Sequence, residues 1–330
     1  MSNTSNDLVV TASRSHRRRL RGALCLVSFL LLALPAVAED QLLAIGGTGK
    51  PEKTELNFGY AQTADHAPLI LGVKKGFFRD EGLTVNVRPV NPANTVANIV
   101  SGDLDVVNVT WVQYLTVGRQ GISLKVVAEA DRSAPNYADF VVAKNSPIRK
   151  PEELLGKKVG VVSTNGICDF LFDDTLKSEG LAFQQVGYAT LPVPNLVSTL
   201  LSGGVDAVCL PEPFLTPAVE KGEVRSLFDL FSGAHADWPI TTYGVTAAFA
   251  AKNPKTVGAL QRALAKSRKY ANEHPDELRA TLSTYTAIPA GLAQKMAIPK
   301  YPLESDVAGG LARTEALLKR IGLLPDSSSH

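Results

Sequence analysis

The sequence is short of cysteine and of net charge. Its 330 residues hold three cysteines, Cys25, Cys168 and Cys209, too few for a disulfide-stapled scaffold in a chain long enough to build its own core. Thirty-four basic residues against 32 acidic ones leave a formal charge of +2, which gives nucleic acid no electrostatic footprint. The five histidines, His16, His66, His235, His274 and His330, are scattered, and no His/Cys/Asp/Glu set has metal-ligand spacing. There is no G-x-S-x-G elbow and no G-x-G-x-x-G after a strand-like run, so neither a hydrolase nucleophile nor a dinucleotide site is supported. The glycine-rich run at 46–50 fails as a phosphate loop, because Ala44 and Pro51 stand where Gly and Ser/Thr belong. No cofactor, metal or catalytic set is expected. A hydrophobic content of 45% with 20% charged residues excludes a wholly disordered chain.

What is present begins at the N-terminus. Residues 14–21 carry five arginines, and an uncharged apolar run follows, ending in Ala36-Val37-Ala38 before Glu39-Asp40. Pro35 interrupts that run well short of the roughly 20 apolar residues a membrane span needs. This order reads as an export signal over 1–38, cleaved after Ala38, with a retained anchor as the alternative. The mature chain would keep 29 basic and 31 acidic residues, a charge of −2, and would work in the periplasm. Cys168 and Cys209 would then be the remaining cysteines; they read as buried free thiols, although an oxidising compartment would let them pair.

Residues 39–54 read as a linker. After it the same unit occurs twice. Strand-like runs at 55–60, 83–90 and 105–109 enclose helix-period stretches at 65–77 and 92–100. Runs at 158–162, 182–188 and 206–210 enclose stretches at 165–177 and 194–201. The punctuation also repeats. Glu81-Gly82-Leu83 matches Glu179-Gly180-Leu181, and Ser101-Gly102-Asp103-Leu104-Asp105 matches Ser202-Gly203-Gly204-Val205-Asp206. Two βαβαβ units of one design predict two mostly parallel sheets with helices on both faces. Strand-like segments at 139–144 and 243–250 flank the second unit and read as two crossings. Lobe 1 is therefore expected over 55–145 plus 243–330, with lobe 2 inserted over 146–242.

Ligands of open α/β sheets bind beyond the carboxyl ends of the strands. That rule selects the loops after the first and third strands of each unit. In the first unit they offer Tyr60, Gln62 and His66, then Thr110 and Trp111. In the second they offer Ser163, Thr164 and Asn165, then Glu212; Tyr243 lies on a crossing. The small polar run 163–166 opens a helix, so it can receive an anion or simply cap the helix. Trp111 can stack on a planar ligand or fill the lobe core. His66 can hydrogen-bond a ligand or face solvent. Glu212, between two prolines, can meet a ligand amine or lock the hinge.

The ordered set His66-Ala67-Pro68-Leu69, Gly76-Phe77-Phe78, Glu81-Gly82-Leu83, Ser101-Gly102-Asp103-Leu104-Asp105, Gln120-Gly121-Ile122, Leu154-Leu155-Gly156-Lys157-Lys158-Val159-Gly160 and Glu212-Pro213-Phe214 resembles the periplasmic substrate-binding proteins of ABC importers. The branch it resembles binds sulfonates, nitrate, taurine and thiamine-precursor pyrimidines, and the likeness spans roughly residues 55–325. It implies a two-lobed type II fold with two hinge strands, a small-molecule ligand between the lobes, an inner-membrane permease as partner, and a monomer. Enzymes of the same fold carry a CCCFC run that is absent here. The small polar helix start favours an anion, whereas Tyr60, His66, Trp111 and Glu212 favour a heteroaromatic ring. Nitrate offers Trp111 nothing to stack on, which tilts the expectation toward an organic ligand.

Overall fold

The computed structural model describes residues 46–325. The expected export signal, its cleavage point after Ala38, and Cys25 lie outside the described residues. Ten strands form two five-stranded sheets. They are β1 (Glu55–Tyr60), β2 (Thr84–Pro89), β3 (Val106–Thr110), β4 (Leu124–Arg132), β5 (Ala138–Ala143), β6 (Lys158–Val161), β7 (Gly187–Thr190), β8 (Ala207–Pro211), β9 (Val224–Asp229) and β10 (Pro239–Thr246). The strand orders are β2-β1-β3-β10-β4 and β7-β6-β8-β5-β9, one plan used twice.

The repeat seen in the sequence has a physical basis. Asp105 and Asp206, the last residues of the matching punctuation, do the same work. Asp105 accepts from the Asn57 amide at 3.0 Å, and Asp206 from the Lys158 amide at 2.9 Å. Each carboxylate pins the start of the first strand of its unit. Two residues further on, Gly59 pairs with Val107 and Gly160 with Val208. A Cβ at Gly59 would meet Leu104 at 2.5 Å, and one at Gly160 would meet Leu191 at 2.9 Å. Both glycines let an overlying leucine press against the sheet.

The sheets are mostly parallel, as expected, with one reversed strand in each. β1 is parallel to β2 and β3, and β6 to β7 and β8. However, β10 runs antiparallel to β3 and β4, and β5 antiparallel to β8 and β9. The first sheet thus takes its last strand, β10, from beyond the second sheet, whose strands β5–β9 are consecutive in the chain. β5 belongs to the second sheet and β10 to the first, so the chain crosses at 133–137 and 230–238, upstream of the boundaries expected at 145 and 242. β4 escaped the sequence reading because buried Glu129 and Asp131 break its apolar pattern.

Helix starts moved as well. The stretch at 65–77 opens with a 3-10 turn, Ala64–His66, before the helix Ala67–Lys75. Pro68 sits in its first turn and Gly76, at φ 84°, closes it. Asp65 caps nothing; its carboxylate is used elsewhere. The C-terminal helices Pro254–Glu273, Pro275–Tyr285 and Val307–Arg320 follow. The first two pack on the helix Ala67–Lys75, and the last bridges the helices Trp111–Arg119 and Ile167–Ser178. No helix among the described residues is long and apolar enough to cross a membrane.

Candidate functional site

A cavity of about 130 Å³ lies between the two sheets, at the carboxyl ends of their parallel strands. The first sheet contributes Thr63, Asp65 and His66 after β1, Thr95 after β2, and Asn108, Thr110 and Gln113 around the end of β3. The second contributes Val162, Ser163, Gly166, Ile167 and Cys168 after β6, and Pro211 at the end of β8. The crossings contribute Tyr137, Leu230 and Phe231, and β10 adds Ile240 and Thr241. The strand-end rule therefore located the cavity in both lobes.

On the first side, His66 is 2% exposed. Its Nδ1 lies 3.2 Å from the Asp65 carboxylate and 3.3 Å from Thr63 Oγ1. A carboxylate only accepts, so Nδ1 carries a proton, and where the ring holds that single proton Nε2 is an acceptor. Nε2 is buried and has no partner among the described residues. Asp65 also accepts from the Tyr137 hydroxyl at 3.1 Å. Burial works to raise Asp65, but the adjoining imidazole and these hydrogen bonds hold it below the usual carboxylate range. Behind Thr241 stands Asp131, fully buried, which accepts from the Thr241 hydroxyl and amide. Asn108 donates to the same hydroxyl at 2.9 Å. Burial, reinforced by the charge of Asp65, pushes Asp131 well above the usual range.

On the second side three loop amides are already used. Asn165 (φ 57°) turns the loop in the left-handed region, which asparagine tolerates. A Cβ at Gly166 would sit 2.7 Å from the Ser163 carbonyl oxygen, so the turn needs glycine. This geometry aims the Asn165 and Gly166 amides at Asp169, at 2.6 and 2.8 Å. The Thr164 amide donates to Thr190 at 3.0 Å. Asp169 is 3% exposed, and burial pushes it up to about 7 despite these bonds. Next to it, Cys168 and Cys209 form a disulfide with a Cα–Cα distance of 6.2 Å. The free thiols expected from the sequence are corrected here: the helix after β6 lies against β8 and brings two cysteines 41 residues apart within bonding reach.

Of the expected site residues, His66, Thr110 and Ser163 line the cavity. Trp111 does not. It is fully buried in the lobe core, edge-on to Tyr114, with its ring 3.0 Å from where a Gly310 Cβ would stand. Glu212 also turns away: it accepts from Thr216 and lines a separate cavity beside Asp139 and Lys295. Tyr60 packs on the rings of His66 and Tyr285. Gln62 donates to the Tyr285 carbonyl at 2.9 Å, and Thr164 Oγ1 accepts from Thr190. Tyr243 is buried edge-on to Phe58. Thr164 and Asn165 shape the loop without lining the cavity. Sequence reasoning missed Tyr137, Asn108 and Thr241. Asn108 and Thr241 meet only because β10 pairs antiparallel with β3 across more than a hundred residues, which no local pattern signals.

Comparison with known proteins agrees with this fold. A family model described as NMT1/THI5 like matches residues 63–278. A protein of Haemophilus influenzae named for thiamine biosynthesis is 27% identical over 263 residues, covering 78% of this chain and 77% of that protein. The nitrate import ATP-binding protein NrtC of Synechocystis is also 27% identical, over 83% of this chain; the chain spans only 43% of that protein's length. The alkanesulfonate-binding protein SsuA of Xanthomonas axonopodis, solved with MOPS bound, shares the fold with a TM-score of 0.70 at 17% identity, over 83% of this chain and 96% of that one. With the matched residues covering more than half of its length, the chain belongs to the NMT1/THI5-like family.

Proposed function

We propose that this protein is the periplasmic solute-binding component of an ABC importer. It captures a small organic ligand between its two lobes and presents the closed form to an inner-membrane permease. The observation that carries this reading is the cavity itself: strand ends of both sheets and both crossings line it, so a ligand there touches both lobes and favours closure. The binding and import proteins among the relatives support it, as does the arginine-rich, apolar leader, whose cleavage after Ala38 would release a monomer into the periplasm. The boundary between lobes is drawn at 133–137 and 230–238, the segments joining the two sheets.

An enzyme is the second reading. The thiamine-biosynthesis name of one relative and the Asp65–His66 pair favour it. One experiment separates the two. The purified protein is screened by thermal shift against sulfonates, aromatic acids and pyrimidines, and any hit is recovered and weighed by mass spectrometry. Stabilisation of about 2.7 kcal/mol at a hundred times the dissociation constant, with the hit unchanged in mass, is the expected result. Conversion of the hit would overturn it.

A further inference from the structure

Resting on that solute-binding reading, we infer that the site selects a small, donor-bearing organic molecule without negative charge, anchored by His66 Nε2 as acceptor, and that it rejects oxyanions. Four observations converge on this.

First, two of the amides that an oxyanion could use on the second lobe are filled by the protein, since Asp169 accepts from the Asn165 and Gly166 amides. Second, the helix start after β3 on the first lobe is closed. The Thr110 amide donates to Gln113 Oε1 at 3.2 Å, and the Gln113 amide to Thr110 Oγ1 at 3.1 Å. Third, among the described residues no lysine or arginine lines the cavity, whereas Asp65 does. Bound anions are ordinarily met by such cations. Fourth, the polar atom left without a partner is an acceptor, His66 Nε2, buried and in a residue that lines the cavity. An unpaired buried acceptor costs free energy that a ligand N–H or O–H would recover. Asp65 fixes the ring in the tautomer this requires.

The test uses the full-length protein and ligands of one shape but different charge: benzamide, benzamidine and benzoate, together with 4-aminopyrimidine, methanesulfonate and nitrate. Each is titrated by calorimetry at neutral pH. The expected result is binding of at least one of benzamide, benzamidine and 4-aminopyrimidine at least tenfold tighter than benzoate, methanesulfonate or nitrate. His66→Ala should weaken that binding at least tenfold. Asp169→Asn should narrow the gap between benzamide and benzoate by severalfold. Tighter binding of any of the three anions would overturn the inference while leaving the solute-binding reading intact. Full affinity in a folded His66→Ala variant would overturn it as well. Binding of none of the six compounds would overturn both. Circular dichroism of each variant separates loss of binding from loss of fold.

Discussion

The two faces of the cavity descend from one repeated unit, yet they are finished differently. On the first lobe, the loop 61–66 leaves His66 Nε2 unspent, and no covalent tie among the described residues holds the wall behind it, where Trp111 is buried against Tyr114 and Gly310. On the second lobe, the loop 163–166 has satisfied its own amides through Asp169 and Thr190, and a covalent tie, Cys168–Cys209, fixes the helix start to β8. One face offers a group for recognition, while the other supplies a preformed, self-contained wall. A shared fold therefore does not imply a shared role for equivalent loops.

The largest effect should come from breaking the packed wall. Trp111→Ala should cost about 3–5 kcal/mol in urea unfolding, the range for a large buried aromatic. Benzamidine affinity of the folded fraction should stay within a few fold of wild type. A loss of affinity without loss of stability would return Trp111 to the binding surface.

Next is the covalent wall. Replacing both Cys168 and Cys209 by serine opens a loop set by a sequence separation of 41. Loop closure of that size is worth about 4 kcal/mol by chain entropy, and measured losses run to roughly 2–4. Dithiothreitol should lower the wild-type melting temperature and leave the double variant unmoved.

His66→Ala probes the open face, with an expected loss of roughly 1–3 kcal/mol in binding a hydrogen-bond donor and almost none in stability. The smallest effect is in the pH profile. Burial raises Asp169 and Glu212 to about 7, and Asp139 and Asp173 to about 6. Groups raised in the folded state stabilise it most below their unfolded values near 4, and that stability is lost as pH rises through 6 to 7. Asp174, held at about 2 against burial by Arg320 and His235, acts in the opposite sense and loses its contribution only as pH falls from about 4 through 2. Melting temperatures should therefore peak near pH 4, fall by several degrees between pH 4 and 7, and level off above. Glu212→Gln should flatten that slope.

The framework was legible in the sequence because it is written in local chemistry. Two identical runs of punctuation, ending in Asp105 and Asp206, announced two units, and each aspartate proved to hold a first strand in place. The strand-end rule then found the cavity loops. What stayed hidden depends on distant pairing. β5 opens the second sheet and β10 returns to the first, which moved the crossings and brought Tyr137 and Thr241 into the cavity. Direction was hidden too. Glu212 and Trp111 stand at the right strand ends, but their side chains turn toward the hinge and the core. The cysteine pair joins two elements of different packing layers, and spacing alone did not reveal that contact.

Hydrogen exchange measured on both loops in one experiment tests the shared cavity most directly. Segments 61–66 and 163–166 would be followed with and without saturating benzamidine. Protection should rise in both loops together, because the ligand contacts both lobes as they close. Protection confined to one loop would contradict a site shared between the lobes.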